Sequence, residues 1–262
     1  MNHTSICKNC GNNVSEEQKF CPNCGQKTDT HKINFHFLLH EIQHGIFHVD
    51  KGILFTIKEL FLRPGFTIKE YVEGKRKSHF PPVTFIMILG ALASFLNKFL
   101  NNHFVNDEFD IKHNQLTPEN KAIITKIKFL LDNYKTVAEW INHHFAIFML
   151  LVIPFIALGI YLAFKKYKRY NYAESLVIST FIVGQSLVIY IITLPLRKIN
   201  ESLNGIGFYV MFGMFVFTLI QIFNDKPFWK VMIRSLLSIF FVWLIIMLSG
   251  LLLGIYIIYK FL

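Results

Sequence analysis

Four cysteines near the amino terminus form two pairs whose spacing is typical of a metal site. Two residues separate Cys7 from Cys10 and Cys21 from Cys24, and a glycine follows the second cysteine of each pair. Two intervening residues let one tight turn present both sulfurs to a single ion, and two such pairs complete a tetrahedral shell of four thiolates. The spacing therefore predicts one structural Zn²⁺ per chain. Because thiolates fill all four positions, no position is left for a catalytic water.

Two disulfides or a redox dithiol are the alternative uses of these cysteines. Disulfides are disfavoured because the charge pattern described below predicts that this segment lies in the reducing cytoplasm. A redox role is disfavoured because one Cys-x2-Cys would suffice and no βαβ pattern surrounds either pair.

Four histidines recur at every fourth position after the cysteines: His36, His40, His44 and His48. On a helix they cover roughly 120° of one face, and histidines four residues apart can bind a transition metal. One hypothesis is therefore a second metal site, which would make the chain a membrane metalloenzyme. The favoured alternative is the polar face of an interfacial helix, since no acidic cluster joins the histidines.

The overall composition indicates what kind of protein holds these residues. Of 262 residues, 53% are hydrophobic, 16% aromatic and only 17% charged. A soluble domain usually carries about 25% charged residues, so an ordinary soluble enzyme is excluded. Disorder is excluded too, because aromatic residues are abundant. The chain is predicted to be an all-α integral membrane protein.

The apolar residues are concentrated in five runs after residue 82. A bilayer core about 30 Å thick needs roughly 20 helical residues, and each run approaches that length with few or no charges. The predicted organisation is a zinc ribbon over residues 1–30, amphipathic juxtamembrane helices with a basic collar over 31–82, and a helix bundle over 83–262. The predicted spans are 83–100, 145–164, 175–196, 206–223 and 236–259.

Lysines and arginines predict the orientation of the bundle. The 82 residues before the first span carry eleven of them, whereas the loops that follow carry five, four, two and three and the tail one. Assigning the richer alternate segments to the cytoplasm places the amino terminus inside and the carboxyl terminus outside. The expected location is a bacterial inner membrane.

Residues 51–82 predict two short helices, Gly52 to Leu62 and Phe66 to Glu73, interrupted by Arg63-Pro64-Gly65 and ended by Gly74. Apolar residues at helical spacing suit helices that lie on the membrane surface. One interpretation is a dock for anionic lipid or a partner; the favoured one is a structural collar that orients the zinc module. The candidate contact residues are Arg63, Lys69, Lys75, Arg76 and Lys77. Nucleic acid is not expected as a partner, because the charges of residues 1–30 sum to zero.

The motifs of the first 82 residues resemble one known family. They comprise the two cysteine pairs with Cys21-Pro22-Asn23-Cys24-Gly25-Gln26, then Thr56, Arg63-Pro64-Gly65, Tyr71, Gly74-Lys75-Arg76 and Pro82. Together they are similar to the bacterial membrane-protein family known as "domain of unknown function 3667". The resemblance implies a cytoplasmic zinc ribbon followed by several membrane helices, and it implies no activity. A weaker likeness, in helix number and general layout and without a shared motif, is to the Yip-type five-helix membrane proteins.

Polar residues are rare within the predicted spans. Glu174 at the mouth of the third span and Gln185 within it fall on nearly one helix face, where they could line a pathway or bond to a neighbouring helix. No Asp, Glu or His lies deep in any span, which argues against a proton-coupled pump. Small-x3-small pairs at Gly90 and Gly250 permit close helix packing, and a homo-oligomer is among the expected assemblies.

The sequence therefore favours a non-enzymatic adaptor whose cytoplasmic ribbon binds a protein partner. A small transporter or channel, dependent on Glu174 and Gln185, is one alternative. The metalloenzyme that would use the face from His36 to His48 is the other.

Overall fold

The computed structural model describes residues 4–15, 17–30, 32–38, 52–100, 136–137, 140–141, 144–196 and 204–261. His40, His44 and His48 lie outside these residues. What is described is an amino-terminal two-stranded ribbon followed by helices, five of them long and apolar enough to cross a membrane.

The ribbon begins with a short antiparallel pair, β1 (Thr4–Ile6) and β2 (Asn13–Ser15). Thr4 lies opposite Ser15 in this pair. Strands this short are not stable alone in water, and the described interior of the module consists of Val14 with the cysteines. A metal therefore has to supply what the small core lacks.

Two short helices follow, α1 (Gly52–Leu62) and α2 (Pro64–Glu73). Proline suits the first position of α2, where its missing N–H costs nothing and its φ is already helical. Gly74 ends α2 with a left-handed φ of 116°, and its N–H bonds to the carbonyls of Glu70 and Tyr71. We call residues 52–82 the collar.

Five longer helices form the bundle. Their bounds are α3 (Pro82–Leu100), α4 (Phe145–Phe164), α5 (Tyr172–Thr193), α6 (Asn204–Ile222) and α7 (Phe228–Phe261). The third span begins three residues earlier than the sequence indicates, because Asn171 and Glu174 form a capping box there. The last begins at Phe228, since only isolated charges such as Lys230 and Arg234 interrupt its apolar pattern.

Helix α5 is the centre of the bundle. It contacts α1 to α4 and α6. Of the residues in its apolar membrane-spanning stretch, 72% are buried inside the protein, against 17% for α7. Phe181 on α5 packs edge-on against Tyr71 of the collar, with ring centroids 5.0 Å apart. The surface of α7, by contrast, exposes large apolar side chains such as Phe240 and Trp243, which suits contact with lipid. The collar is thus attached to the most buried helix of the bundle.

Candidate metal centre and its attachment to the membrane helices

Each cysteine pair sits in a turn with the same hydrogen bonds. The N–H of Cys7 donates to the carbonyl of Asn12 at 2.8 Å, and the N–H of Gly11 donates back to the carbonyl of Cys7 at 2.9 Å. In the second turn Cys21 donates to Gln26 and Gly25 donates to Cys21, both at 2.8 Å. Both glycines have left-handed backbones, with φ of 77° and 70°. Such a turn needs glycine after the pair, which explains the sequence pattern.

The two turns bring the four sulfurs into one cluster. All four Sγ atoms lie within 4.8 Å of one another, and the distances from Cys7 to Cys24 and from Cys10 to Cys21 are 3.6 Å. A tetrahedron with Zn–S bonds of about 2.3 Å has S–S edges of roughly 3.8 Å, so these residues fit a zinc ion. The prediction of a structural zinc site is confirmed.

The four ligands differ in their surroundings. Burial raises the pKa of the Cys7 thiol to about 11. A hydrogen bond from the backbone of Asn12 lowers the pKa of the exposed Cys10 thiol to about 6. Cys10 is therefore a thiolate at neutral pH, whereas Cys7 loses its proton on binding a cation.

The ribbon is attached to the collar through polar contacts. The side-chain oxygen of Gln26, two residues after the last cysteine, accepts hydrogen bonds from the backbone N–H groups of Arg76 and Lys77, at 3.1 and 2.8 Å. Ser78 donates to the side-chain oxygen of Asn9 at 2.5 Å. Gly74 lies so close to the ribbon that an added Cβ would come within 2.9 Å of Thr30 Oγ1. The Gly-Lys-Arg motif is therefore the surface on which the ribbon rests.

The collar is attached to the bundle at its Arg63-Pro64-Gly65 turn. A helical carbonyl normally accepts a hydrogen bond from the N–H four residues later. Because that residue is Pro64, which has no N–H, the carbonyl of Leu60 lacks its usual partner. Gln185 on α5 supplies the missing donor at 2.6 Å. The N–H of Gly65, unpaired as the first groups of a helix are, donates to Gln221 on α6 at 2.9 Å. Two glutamines on spanning helices thus satisfy the backbone groups that the turn leaves unpaired.

Space also decides which residue can occupy this turn. A Cβ at position 65 would lie 2.3 Å from Gln221 Cβ, 2.5 Å from the carbonyl of Thr218 and 2.6 Å from the backbone nitrogen of Ile222. Two of these atoms belong to the backbone of α6 and cannot rotate away. Glycine is needed here because the two backbones approach closely.

Inside the collar, charged groups pair with one another. Arg63 bonds to Glu59 and to both carboxylate oxygens of Glu70, and Lys75 bonds to Oε2 of Glu70 at 2.8 Å. Burial raises the pKa of Glu70, but the hydrogen bonds from Lys75 and Arg63 outweigh it and lower the pKa below its ordinary value. These carboxylates largely neutralise Arg63 and Lys75.

His79, just before the first span, is buried without a polar partner. Its side chain is 5% exposed, packs against the rings of Phe55 and Tyr71, and forms no hydrogen bond through either ring nitrogen. Burial lowers its pKa to about 4. The imidazole is therefore neutral at physiological pH.

The other predicted site residues lie in different environments. Glu174 completes the cap of α5, with its carboxylate accepting from the N–H of Asn171 at 2.8 Å. Gln185 also accepts from Thr218 at 3.3 Å, in the protein interior. Lys69 is half-buried, and the guanidinium of Arg76 lies 4.2 Å from the ring centre of Phe37. His36 is the only described member of the histidine series, and it is exposed.

Collar residues predicted to face lipid are divided between two environments. Leu60, Ile68, Tyr71 and Val72 are buried, whereas Phe55 and Phe66 stay more than a third exposed. The spanning helices offer apolar partners closer than the bilayer does, which is why α2 packs against α5 and α6.

The fold and the site define an integral membrane protein with an amino-terminal zinc ribbon. Residues 6–28 match a family model described as a zinc-ribbon domain. Residues 50–93 match the family described as protein of unknown function (DUF3667), which confirms the predicted resemblance. No curated protein and no solved structure matched the chain. The second match covers the collar and the start of α3, which is the segment that carries both attachments.

Proposed function

We propose that this protein is an adaptor of the bacterial inner membrane whose ribbon binds a cytoplasmic protein. The observation that carries the proposal is the pair of attachments described above: the ribbon is bonded to the collar, and the collar is bonded to the bundle. A module held in this way presents one fixed surface at the membrane. Four thiolates around one ion give it no open coordination position for catalysis.

Two exposed apolar side chains support a protein partner. Ile6 directly precedes the first cysteine and is 69% exposed; Phe20 directly precedes the third and is 60% exposed. Large apolar groups at equivalent positions of the two turns have no role in the described interior of the module. Partner-binding surfaces are enriched in such side chains.

Orientation follows the charge pattern, with the amino terminus in the cytoplasm and the carboxyl terminus outside. Under this orientation Lys165 and Lys166 lie in a cytoplasmic loop. Reporter fusions after residues 168 and 262 test this orientation. We expect a reporter that is active only in the cytoplasm to work at residue 168, and a reporter that is active only in the periplasm to work at residue 262.

Photo-cross-linking in living cells tests the adaptor role. A photoreactive amino acid replaces Phe20 in the full-length chain, with Lys166 as an exposed control position in the same compartment. We expect Phe20 to give a discrete protein adduct that Lys166 does not give and that Ile6→Asp abolishes. Identical adducts from both positions, or none from Phe20, would contradict a specific partner on the ribbon.

A further inference from the structure

A cavity of about 520 Å³ lies between the second cysteine turn and the collar. Both modules contribute to it. The lining includes Lys27, Lys32, Arg76, Lys77, His36 and Asp29. Four residues with positive side chains therefore line one cavity, and Asp29 is the described carboxylate among its lining residues.

Three of these cations have no carboxylate partner. Within the part of the chain that the structure describes, no ion pair involves Lys27, Lys32 or Lys77, whereas Arg63 and Lys75 in the collar pair with Glu59 and Glu70. The basic residues of this region thus fall into two groups. The inner group, Arg63 and Lys75, is neutralised by carboxylates, whereas Lys27, Lys32 and Lys77 line the cavity without a described ion pair.

The walls of the cavity are held in position before any ligand arrives. Gln26 bonds to the backbone of Arg76 and Lys77 and so connects the two sides. The side chain of Lys77 lies across Gly25, where an added Cβ would be 3.7 Å from its Cε. Arg76 is fixed over the ring of Phe37. A preformed site loses less conformational entropy on binding.

The cavity lies close to the level at which the bundle begins. Asn171, which caps the start of α5, donates to the carbonyl of Ile33, and Ile33 follows directly after Lys32. Lys77 precedes the first residue of α3 by five positions. A phosphate in a lipid headgroup at this surface would be within reach, as would a phosphate in solution.

We propose that this cavity binds a phosphoryl anion, either the phosphodiester of an anionic phospholipid or a free phosphate compound. Several ammonium groups around one cavity suit a compact anion with several oxygens. The cavity is also large enough for a headgroup. Phe20 also lines this cavity, so the cavity adjoins the surface proposed for a protein partner, whereas Ile6 does not line it. Anion binding requires no protein partner, and the binding test below uses the purified protein without one.

Native mass spectrometry of the delipidated full-length protein in detergent tests the proposal. The probes are phosphatidylglycerol, phosphatidylcholine with the same acyl chains, and inorganic pyrophosphate. We expect the wild type to retain one phosphatidylglycerol or one pyrophosphate in preference to phosphatidylcholine. Retention of the lipid identifies the bilayer as the source of the anion, and retention of pyrophosphate alone identifies the solution.

Three variants make the test specific. K32Q/K77Q should weaken binding of the retained anion by tenfold or more, while K32R/K77R should keep it. K165Q/K166Q removes two exposed lysines elsewhere and should bind as the wild type does. One zinc per chain in every variant shows that the ribbon has folded. Unchanged anion binding by K32Q/K77Q, or an equal loss in K165Q/K166Q, would overturn the proposal.

Discussion

The two faces of the collar hold their neighbours by different physical means. The face toward the bundle is tightly packed and buried: Gly65 touches the backbone of α6, and the amide of Gln185 reaches the carbonyl of Leu60 through the protein interior. The face toward the ribbon uses part-buried polar contacts, in which the buried Gln26 and the half-buried Asn9 accept hydrogen bonds from the collar. The first attachment depends on close packing and on hydrogen bonds to backbone groups that would otherwise be unpaired. The second depends on part-buried hydrogen bonds, for which water can compete.

This difference indicates how the molecule is divided energetically. In an apolar surrounding an unpaired backbone group costs several kcal/mol, whereas a partly exposed hydrogen bond contributes about 1 kcal/mol. Damage to the bundle face should therefore affect the whole protein, and damage to the ribbon or its face should stay local. Four predictions test this comparison.

Loss of one zinc ligand should have the largest effect, confined to the ribbon. We expect C21S to lose its zinc, because three thiolates and a hydroxyl bind it far more weakly and the metal supplies folding energy on the order of 10 kcal/mol. Metal analysis and limited proteolysis should show a metal-free ribbon cleaved within residues 1–30. The helical circular dichroism of the bundle should persist; a stoichiometric zinc content in C21S would contradict the assigned site.

A single methyl group at the bundle face should destabilise the whole protein. We expect G65A to lose about 3 kcal/mol or more, because the added carbon meets the backbone of α6. G213A is the matched control: it changes a glycine of α6 whose Cβ position has no atom within 4 Å. Thermal unfolding in detergent compares the two. Equal midpoints for both variants would show that the turn does not pack as described.

Removal of the buried amide should cost somewhat less. Q185L leaves the carbonyl of Leu60 without a donor, and we expect a loss of about 2 kcal/mol. Q18L, which replaces an exposed glutamine on the ribbon, should leave the unfolding of the bundle unchanged. If Q185L were as stable as the wild type, the hydrogen bond to the collar would have no structural role.

Acid should lower the free energy of unfolding through His79, in the collar. In the unfolded chain the imidazole is protonated below about pH 6.5, but in the folded protein its pKa is about 4. Between these values the unfolded state binds the extra proton, so stability falls as pH falls, by about 2 kcal/mol at pH 5. We expect H79L to be less sensitive than the wild type when unfolding is compared at pH 7.5 and pH 5. An unchanged difference would mean that His79 is accessible to protons when folded.

Local patterns in the sequence predict much of this architecture. The spacing of the cysteines predicts the zinc site, and the length of the apolar runs predicts the spanning helices. Both patterns can be recognised because each lies within a short stretch of the sequence. The proline of the collar turn also implies an unpaired carbonyl. The donor to that carbonyl is the side chain of Gln185, 125 residues away, and no local pattern encodes this pairing.

Other residues of the site likewise have no local signal in the sequence. Gln221 and His79 acquire their roles only through packing, since Gln221 meets Gly65 across 156 positions and His79 is enclosed by Phe55 and Tyr71. Gln26 follows the second cysteine turn, and its side chain bonds to the collar. A polar side chain directly after a metal-binding turn is the one signal that could have indicated a docking contact.

The central claim is that the ribbon is held in one position relative to the membrane helices. Pulsed electron paramagnetic resonance tests it most directly, with genetically encoded, cysteine-independent spin labels at Lys19 on the ribbon and Lys166 beyond α4, both exposed. We predict one narrow distance distribution for the wild type, which broadens when Q26A is combined with G74L. A broad distribution in the wild type, unchanged by those substitutions, would contradict the account.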